Sequence, residues 1–286
     1  MANVFGGSNI SLFTFELEVV ARPTDGIFIP FLALFGGIYY MILGKKYFNR
    51  NYLISIIGLT LFSIFITATR SWLISSLFIF GSYYIFISRK KITILKRFAI
   101  PIVAALFLIP FVPIIYQQID LAFQRYETVG LLLQGDLTAG GTLKRLDERA
   151  PRVMAKFYES PIFGWGFGDE GNKYTDEHVG NQNLLMQCGI IGFIFWFLLW
   201  ANFIVKMQRL NKLITTSNPY KNIPQIFILM LIGILFIHSS AQWFDYLLQF
   251  LPGFTIIFLL TFASFVNKKA LEEEKLLRNF KIDNLG

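Results

Sequence analysis

Apolar runs long enough to cross a bilayer recur along most of this chain, and that constrains its fold more than any other feature. A spanning helix needs roughly 20 predominantly apolar residues, with a lower limit near 17. Seven stretches meet or approach that length: Ile27–Leu43, Tyr52–Thr67, Trp72–Ser88, Phe98–Tyr116, Asn183–Val205, Ile223–Ser239 and Tyr246–Val266. Backbone polar groups inside lipid must be satisfied within the segment, so these runs are expected to be helices. The strict alternation of a membrane β-barrel is absent from them. Composition agrees. Apolar residues make up 55% of the 286 positions and charged residues only 15%, with 32 phenylalanines. One core of this size cannot bury that much apolar surface, which argues against a cytosolic enzyme, a disordered chain or a disulfide scaffold. The single cysteine, Cys188, has no internal partner to bridge to.

Basic residues favour the cytoplasmic side. Lys45, Lys46 and Arg50 follow the first run, and Arg89, Lys90, Lys91, Lys96 and Arg97 follow the third. Lys206, Arg209, Lys212 and Lys221 follow the fifth, and Lys268 and Lys269 the seventh. Clusters after every odd run predict seven helices with the N-terminus outside. The net charge of +8 therefore reads as membrane topology, and no nucleic-acid partner is expected. The expected organisation is an outer segment 1–26, four spans over 27–116, a long outer loop 117–182, three spans over 183–266 and a cytoplasmic tail 267–286. No cleavable signal peptide is visible at the start. The outer loop holds ten acidic and seven basic residues and many glycines. Short helices are expected at Tyr116–Val129 and Leu143–Glu159, with Pro151 weakening the second.

Neither a phosphate-cradling P-loop nor a zinc-type Cys/His spacing is present, so neither metal nor cofactor is expected. The polar residues that remain fall near the outer boundary. Arg70, in Thr67-Ala-Thr-Arg-Ser-Trp72, stands between two runs. An arginine there snorkels to headgroups without further purpose, or presents a planar fork of donors to a phosphate. Arg145, Arg149 and Arg152 would share one face of a helix at i, i+4 and i+7, either as a solvated face or as an anion site. His178 lies in Asp176-Glu177-His178-Val179-Gly180-Asn181-Gln182-Asn183. An unperturbed histidine accepts a proton near neutrality, and Asp176 or Glu177 would orient it. His238 precedes Ser239 and Ser240 at the outer end of the sixth run, where packing or capping explains it equally well.

The segments Pro161-Ile-Phe-Gly-Trp-Gly-Phe-Gly168, His178-x-x-Asn181-x-Asn183 and Cys188-Gly-Ile-Ile-Gly192 together resemble the O-antigen ligase and polymerase superfamily of bacterial membrane glycosyltransferases. Thr69-Arg70-Ser71 is similar to a further element of that family in altered order, and Arg22 with Gly26 and Pro30 to an earlier one. His238 and Asp245 also fit. The resemblance covers about residues 20–266. It implies an all-α, C-type glycosyltransferase fold in the cytoplasmic membrane, acting at its outer face. The implied donor is an oligosaccharide on undecaprenyl diphosphate, and the acceptor a glycan or a lipid. A chain-length regulator would be a further partner of a polymerase. Arg70, Arg145 and Arg149 would bind the diphosphate with help from Asn181 and Asn183. His178 would be the catalytic base, and Asp176, Glu177, His238 and Arg22 are secondary candidates. Family members usually carry ten or more spans, so the resemblance implies that N-terminal helices are lacking here. A transporter or flippase of lipid-linked glycans is the alternative. It predicts paired broken helices and polar midplane residues. An inactive truncated member is a third reading.

Overall fold

The computed structural model describes residues 28–44, 48–67, 69–88, 148–176, 178–241 and 250–283, with isolated positions between 119 and 134. All regular structure among them is helical: α1 Phe28–Leu43, α2 Arg50–Ile66, α3 Arg70–Ser82, α4 Ala150–Glu159, α5 Asp169–Asn172, α6 Gly180–Leu213, α7 Ile223–Ala241 and α8 Phe250–Asp283. A π-helical turn, Tyr83–Ile87, extends α3. The chain divides into two compact units, residues 1–140 and 141–286, each described here by itself.

Three helices among the described residues are long and apolar enough to cross a membrane: α3 with its π turn, α6 and α7. α1 and α2 are apolar but shorter. The fourth expected span, Phe98–Tyr116, lies outside the described residues, as do Arg22, Arg145, Glu177 and Asp245. The other six apolar runs thus correspond to three helices of spanning length and composition, two shorter ones, and α8.

In the first unit, α1 packs on α2 where a glycine lets the backbones close. A Cβ on Gly37 would sit 2.7 Å from Ile57 Cγ1. Small residues do this commonly between membrane helices. Phe31 meets Trp72 of α3 edge-on, with ring centroids 5.3 Å apart. Asn49 caps α2 by accepting the Asn51 N–H at 2.9 Å.

In the second unit, α6 is one helix only in outline. Gly189 has φ 65° and ψ −176°, which breaks it into Gly180–Cys188 and a longer stretch from Ile190 to Leu213. Only the latter is an uninterrupted apolar helix, about 36 Å long at 1.5 Å per residue, enough for a hydrocarbon core of about 30 Å. The expected span Asn183–Val205 lies within α6, with the break at Gly189 inside it. A break leaves carbonyls on one side and N–H groups on the other without helical partners. The glycine-rich turn after α4 supplies partners to four of them. Ile190 N–H donates to Pro161 O at 2.9 Å, and Ile191 N–H to Ile162 O at 3.3 Å. In return Trp165 N–H donates to Met186 O at 3.0 Å, and Gly166 N–H to Gln187 O at 2.8 Å. The approach needs glycines at two points. A Cβ on Gly164, whose φ is +74°, would fall 2.3 Å from Gln187 O, and one on Gly189 would fall 2.3 Å from Ile162 O.

At the far end of α6 the connector to α7 folds onto α8. Glu274 is buried and accepts from Thr215 N–H at 2.9 Å, Thr215 Oγ1 at 3.1 Å and Asn218 Nδ2 at 3.2 Å. Asn218 Nδ2 also donates to Ala270 O at 2.9 Å. These bonds favour the carboxylate, the Thr215 N–H most of all, and hold Glu274 below its ordinary pKa. α8 continues as helix to Asp283, so residues 267–283 of the expected tail are helical.

Candidate functional site

α4 builds the site. Its apolar residues Ala150, Val153 and Phe157 recur at i, i+3 and i+7, and that face packs against Val179 and Met186. The helix begins at Ala150, with Pro151 in its first turn where the missing N–H costs nothing. The expected helix Leu143–Glu159 is thus described only from residue 148. Trp165 seals the other end, its indole N–H donating to Lys156 O at 2.8 Å. The Lys156 ammonium lies 3.7 Å from the centroid of the Trp165 ring and 4.3 Å from that of Tyr174. It also meets Glu159 at 2.6 Å, whose hydrogen bond raises the pKa of the lysine.

With that face fixed, Arg149 and Arg152 point away from the core and meet Asp176. Arg152 Nη2 stands 2.8 Å from Asp176 Oδ2, and Arg149 Nη1 3.5 Å from Oδ1. The Asp176 side chain is 11% exposed, against 36% and 62% for Arg149 and Arg152. The carboxylate is the anchored member, and the guanidiniums reach it from the solvent side. Each guanidinium has five N–H donors, so most remain open to a second acceptor.

Asp176 is anchored by Asn183. Asp176 N–H donates to Asn183 Oδ1 at 3.0 Å, and Asn183 Nδ2 donates to Asp176 O at 2.6 Å. Asn183 is fully buried. Its amide faces the backbone of this turn rather than the pocket, so it positions Asp176. Asn181 is half-buried in the first turn of α6.

His178 follows. Its backbone N–H donates to Asp176 Oδ1 at 3.0 Å, so Asp176 orients the main chain at this residue. Glu148, Arg149, Arg152, Thr175, Asp176 and His178 line an open cavity of about 500 Å³. Two guanidiniums and two carboxylates give it no net charge with His178 neutral. Attraction for an anion would come from directed donors rather than from net field. Among the described residues no cluster suited to a metal ion occurs.

The remaining expected residues lie elsewhere. His238 is completely buried in α7, beside Trp196 at 6.0 Å between ring centroids and hydrogen-bonded to the backbone of Gly180. It ties α7 to the start of α6, two residues beyond His178. Arg70 is the first residue of α3 in the other unit. Thr69 makes no side-chain cap, and a cation at a helix N-terminus opposes the helix dipole. That placement is locally unfavourable unless an anion joins it. Sequence reasoning paired Arg152 with Arg145 and Arg149 but did not anticipate Asp176 as the acceptor shared by Arg149 and Arg152. The i, i+3 spacing of the two arginines at the start of α4 was the available signal.

Compared with protein-family models, curated proteins and solved structures, the chain matches none.

Proposed function

We propose that the protein is a membrane glycosyltransferase that moves a glycan from a polyprenyl-diphosphate carrier onto a hydroxyl acceptor, as the resemblance to O-antigen ligases and polymerases implies. One observation carries this reading. Arg149 and Arg152 at the start of α4 and His178 just before α6 line one open cavity beside a helix of membrane-spanning length. A departing diphosphate develops negative charge, and preorganised donors at such a centre are typically worth about 2.7–4 kcal/mol each. Arg149 and Arg152 fill that role, and the resemblance adds Arg145; it also implies a phosphate contact at Arg70, which belongs to the other unit. His178 takes the proton of the attacking hydroxyl, and attack opposite the leaving group inverts the anomeric carbon. Asp176 ties both arginines to the main chain of His178. On this reading the cavity faces outward, as the distribution of basic residues implies.

The break at Gly189 does not favour the transporter alternative. Transporters use the freed backbone groups of broken helices to bind substrate. Here the turn at residues 161–166 takes Met186 O, Gln187 O and the N–H groups of Ile190 and Ile191.

The test is transfer from a lipid-linked donor by reconstituted protein. His178→Ala should lower transfer at least about 100-fold while donor binding persists. His238→Ala should lower stability instead. A His178→Ala protein that retains most of its activity would exclude the assigned base.

A further inference from the structure

The turn that satisfies the break in α6 carries two large apolar side chains on its outside. Phe163 is 75% exposed and Ile162 55%. Both lie between the backbone bonds that fasten residues 161–166 to α6. Exposure of this size on a short turn is unfavourable in water, where burying a Phe or Ile side chain is the normal outcome. The surface does not stop at the turn. Ile190 and Ile191, hydrogen-bonded to Pro161 and Ile162, are themselves exposed, and Ile194, Phe195, Phe197 and Leu198 continue the strip down the apolar stretch of α6. That stretch belongs to a helix of membrane-spanning length and hydropathy of which little is buried within the protein.

We propose that Ile162 and Phe163 form a wedge that enters the lipid surface beside the start of the α6 span, on the side of the membrane where the arginine cavity lies. Three observations favour lipid as the occupant. The patch is continuous with the strip on α6. The Ile162 carbonyl is already bonded to Ile191, and the neighbouring Gly164 N–H donates to Ser160 O at 3.0 Å, so these two backbone groups of the turn approach the interface already paired. Phe163 and Ile162 have no polar tip, and apolar side chains of this kind on an interfacial segment bury at the boundary of headgroups and acyl chains. The wedge also sets the depth of the cavity. Phe163 is two residues from Trp165, which packs on the core of α4, and α4 carries Arg152 with Arg149 just before it. The lipid seat stands apart from the proposed catalysis, and either can fail without the other.

A nitroxide reporter tests it in full-length protein reconstituted into phosphatidylcholine–phosphatidylglycerol vesicles. Single cysteines replace Phe163, Ile162, Phe195 and Lys173 in turn in a Cys188→Ala background. Power saturation then compares collisions with oxygen, which concentrates in lipid, and with a water-soluble nickel chelate. Labels at 163 and 162 should show an oxygen-to-nickel ratio several-fold above that at 173 and approaching that at 195. Because the replaced side chains are exposed, neither label disturbs the core, and agreement between the two sites guards against a misfolded variant. A ratio at 163 and 162 equal to that at 173 would overturn the proposal. So would spin–spin broadening with low access to both reagents, which would identify a second copy of the chain as the occupant.

Discussion

Gly164→Ala probes the contact on which the second unit depends. Gly164 has φ +74°, and a left-handed backbone costs an alanine about 1–2 kcal/mol. The added Cβ would also lie 2.3 Å from Gln187 O and 2.5 Å from Gly189 N, both main-chain atoms that no rotamer change can move. Relief requires the turn to lift from α6. Losing two of the four bonds between them, at about 1–2 kcal/mol each, brings the total to roughly 3–6 kcal/mol. Two neighbouring glycines separate the contributions. Gly166 has φ +77° but open space around its Cβ direction, so Gly166→Ala should cost only the backbone strain, about 1–2 kcal/mol. Gly168 has φ −81° and open space, so Gly168→Ala should stay within about 0.5 kcal/mol of the parent. The assay is reversible unfolding in mixed micelles, followed by tryptophan fluorescence. If Gly164→Ala and Gly166→Ala unfold alike, the main-chain contact with Gln187 is not what holds the turn, and the account of the break at Gly189 is refuted.

Other outcomes follow from the same geometry. Asn183→Ala removes both bonds to the Asp176 backbone and should destabilise the unit by about 1–3 kcal/mol. Pyrophosphate binding, measured by calorimetry, should weaken although neither arginine has changed. Glu274 has a lowered pKa, so its contribution to stability is complete above the ordinary carboxylate value and is lost as pH falls through the lowered one. Glu274→Gln should remove that acid-dependent step from the unfolding profile and free the 214–222 connector to proteolysis. If basic residues report topology, a cysteine at Thr175 should react with an impermeant maleimide from outside intact cells and one at Asn211 should not. The reverse pattern would invert the proposed orientation of the cavity. Arg70→Lys should weaken donor binding in the reconstituted assay, because an ammonium cannot replace a forked contact.

The helices were largely legible because hydropathy reports them directly. Expected runs at 27–43, 52–67 and 223–239 coincide with α1, α2 and α7 to within two residues at each end. The α6 region was not legible in the same way. A composition window reads Asn183–Val205 as one span, because a single glycine barely changes the average. The break at Gly189 depends on a turn some 25 residues earlier, and such a contact leaves no periodic trace. For the same reason the Pro161–Gly168 segment reads from sequence as a family signature, whereas the structure gives it a mechanical task. At the site, the side chains of Arg149, Asp176 and His178 were singled out as chemical groups. The buried role of Asn183 was not, because a polar residue beside a pocket motif looks like a ligand until its partners are known. His238 reads from sequence as a secondary site candidate or as a packing or capping residue, and in the structure it is buried.

The interlock at Gly189 also bears on how the chain is made. A helix that breaks where it enters lipid would expose bare amides to hydrocarbon if it left the insertion machinery alone. The segment that covers those amides, residues 161–166, precedes the break in sequence and is synthesised first. On the proposed topology it has already crossed the membrane when Ile190 arrives. Closing a loop of this length takes far less time than adding a residue during synthesis. The turn can therefore dock as the span emerges, and the order of residues along the chain doubles as an order of assembly.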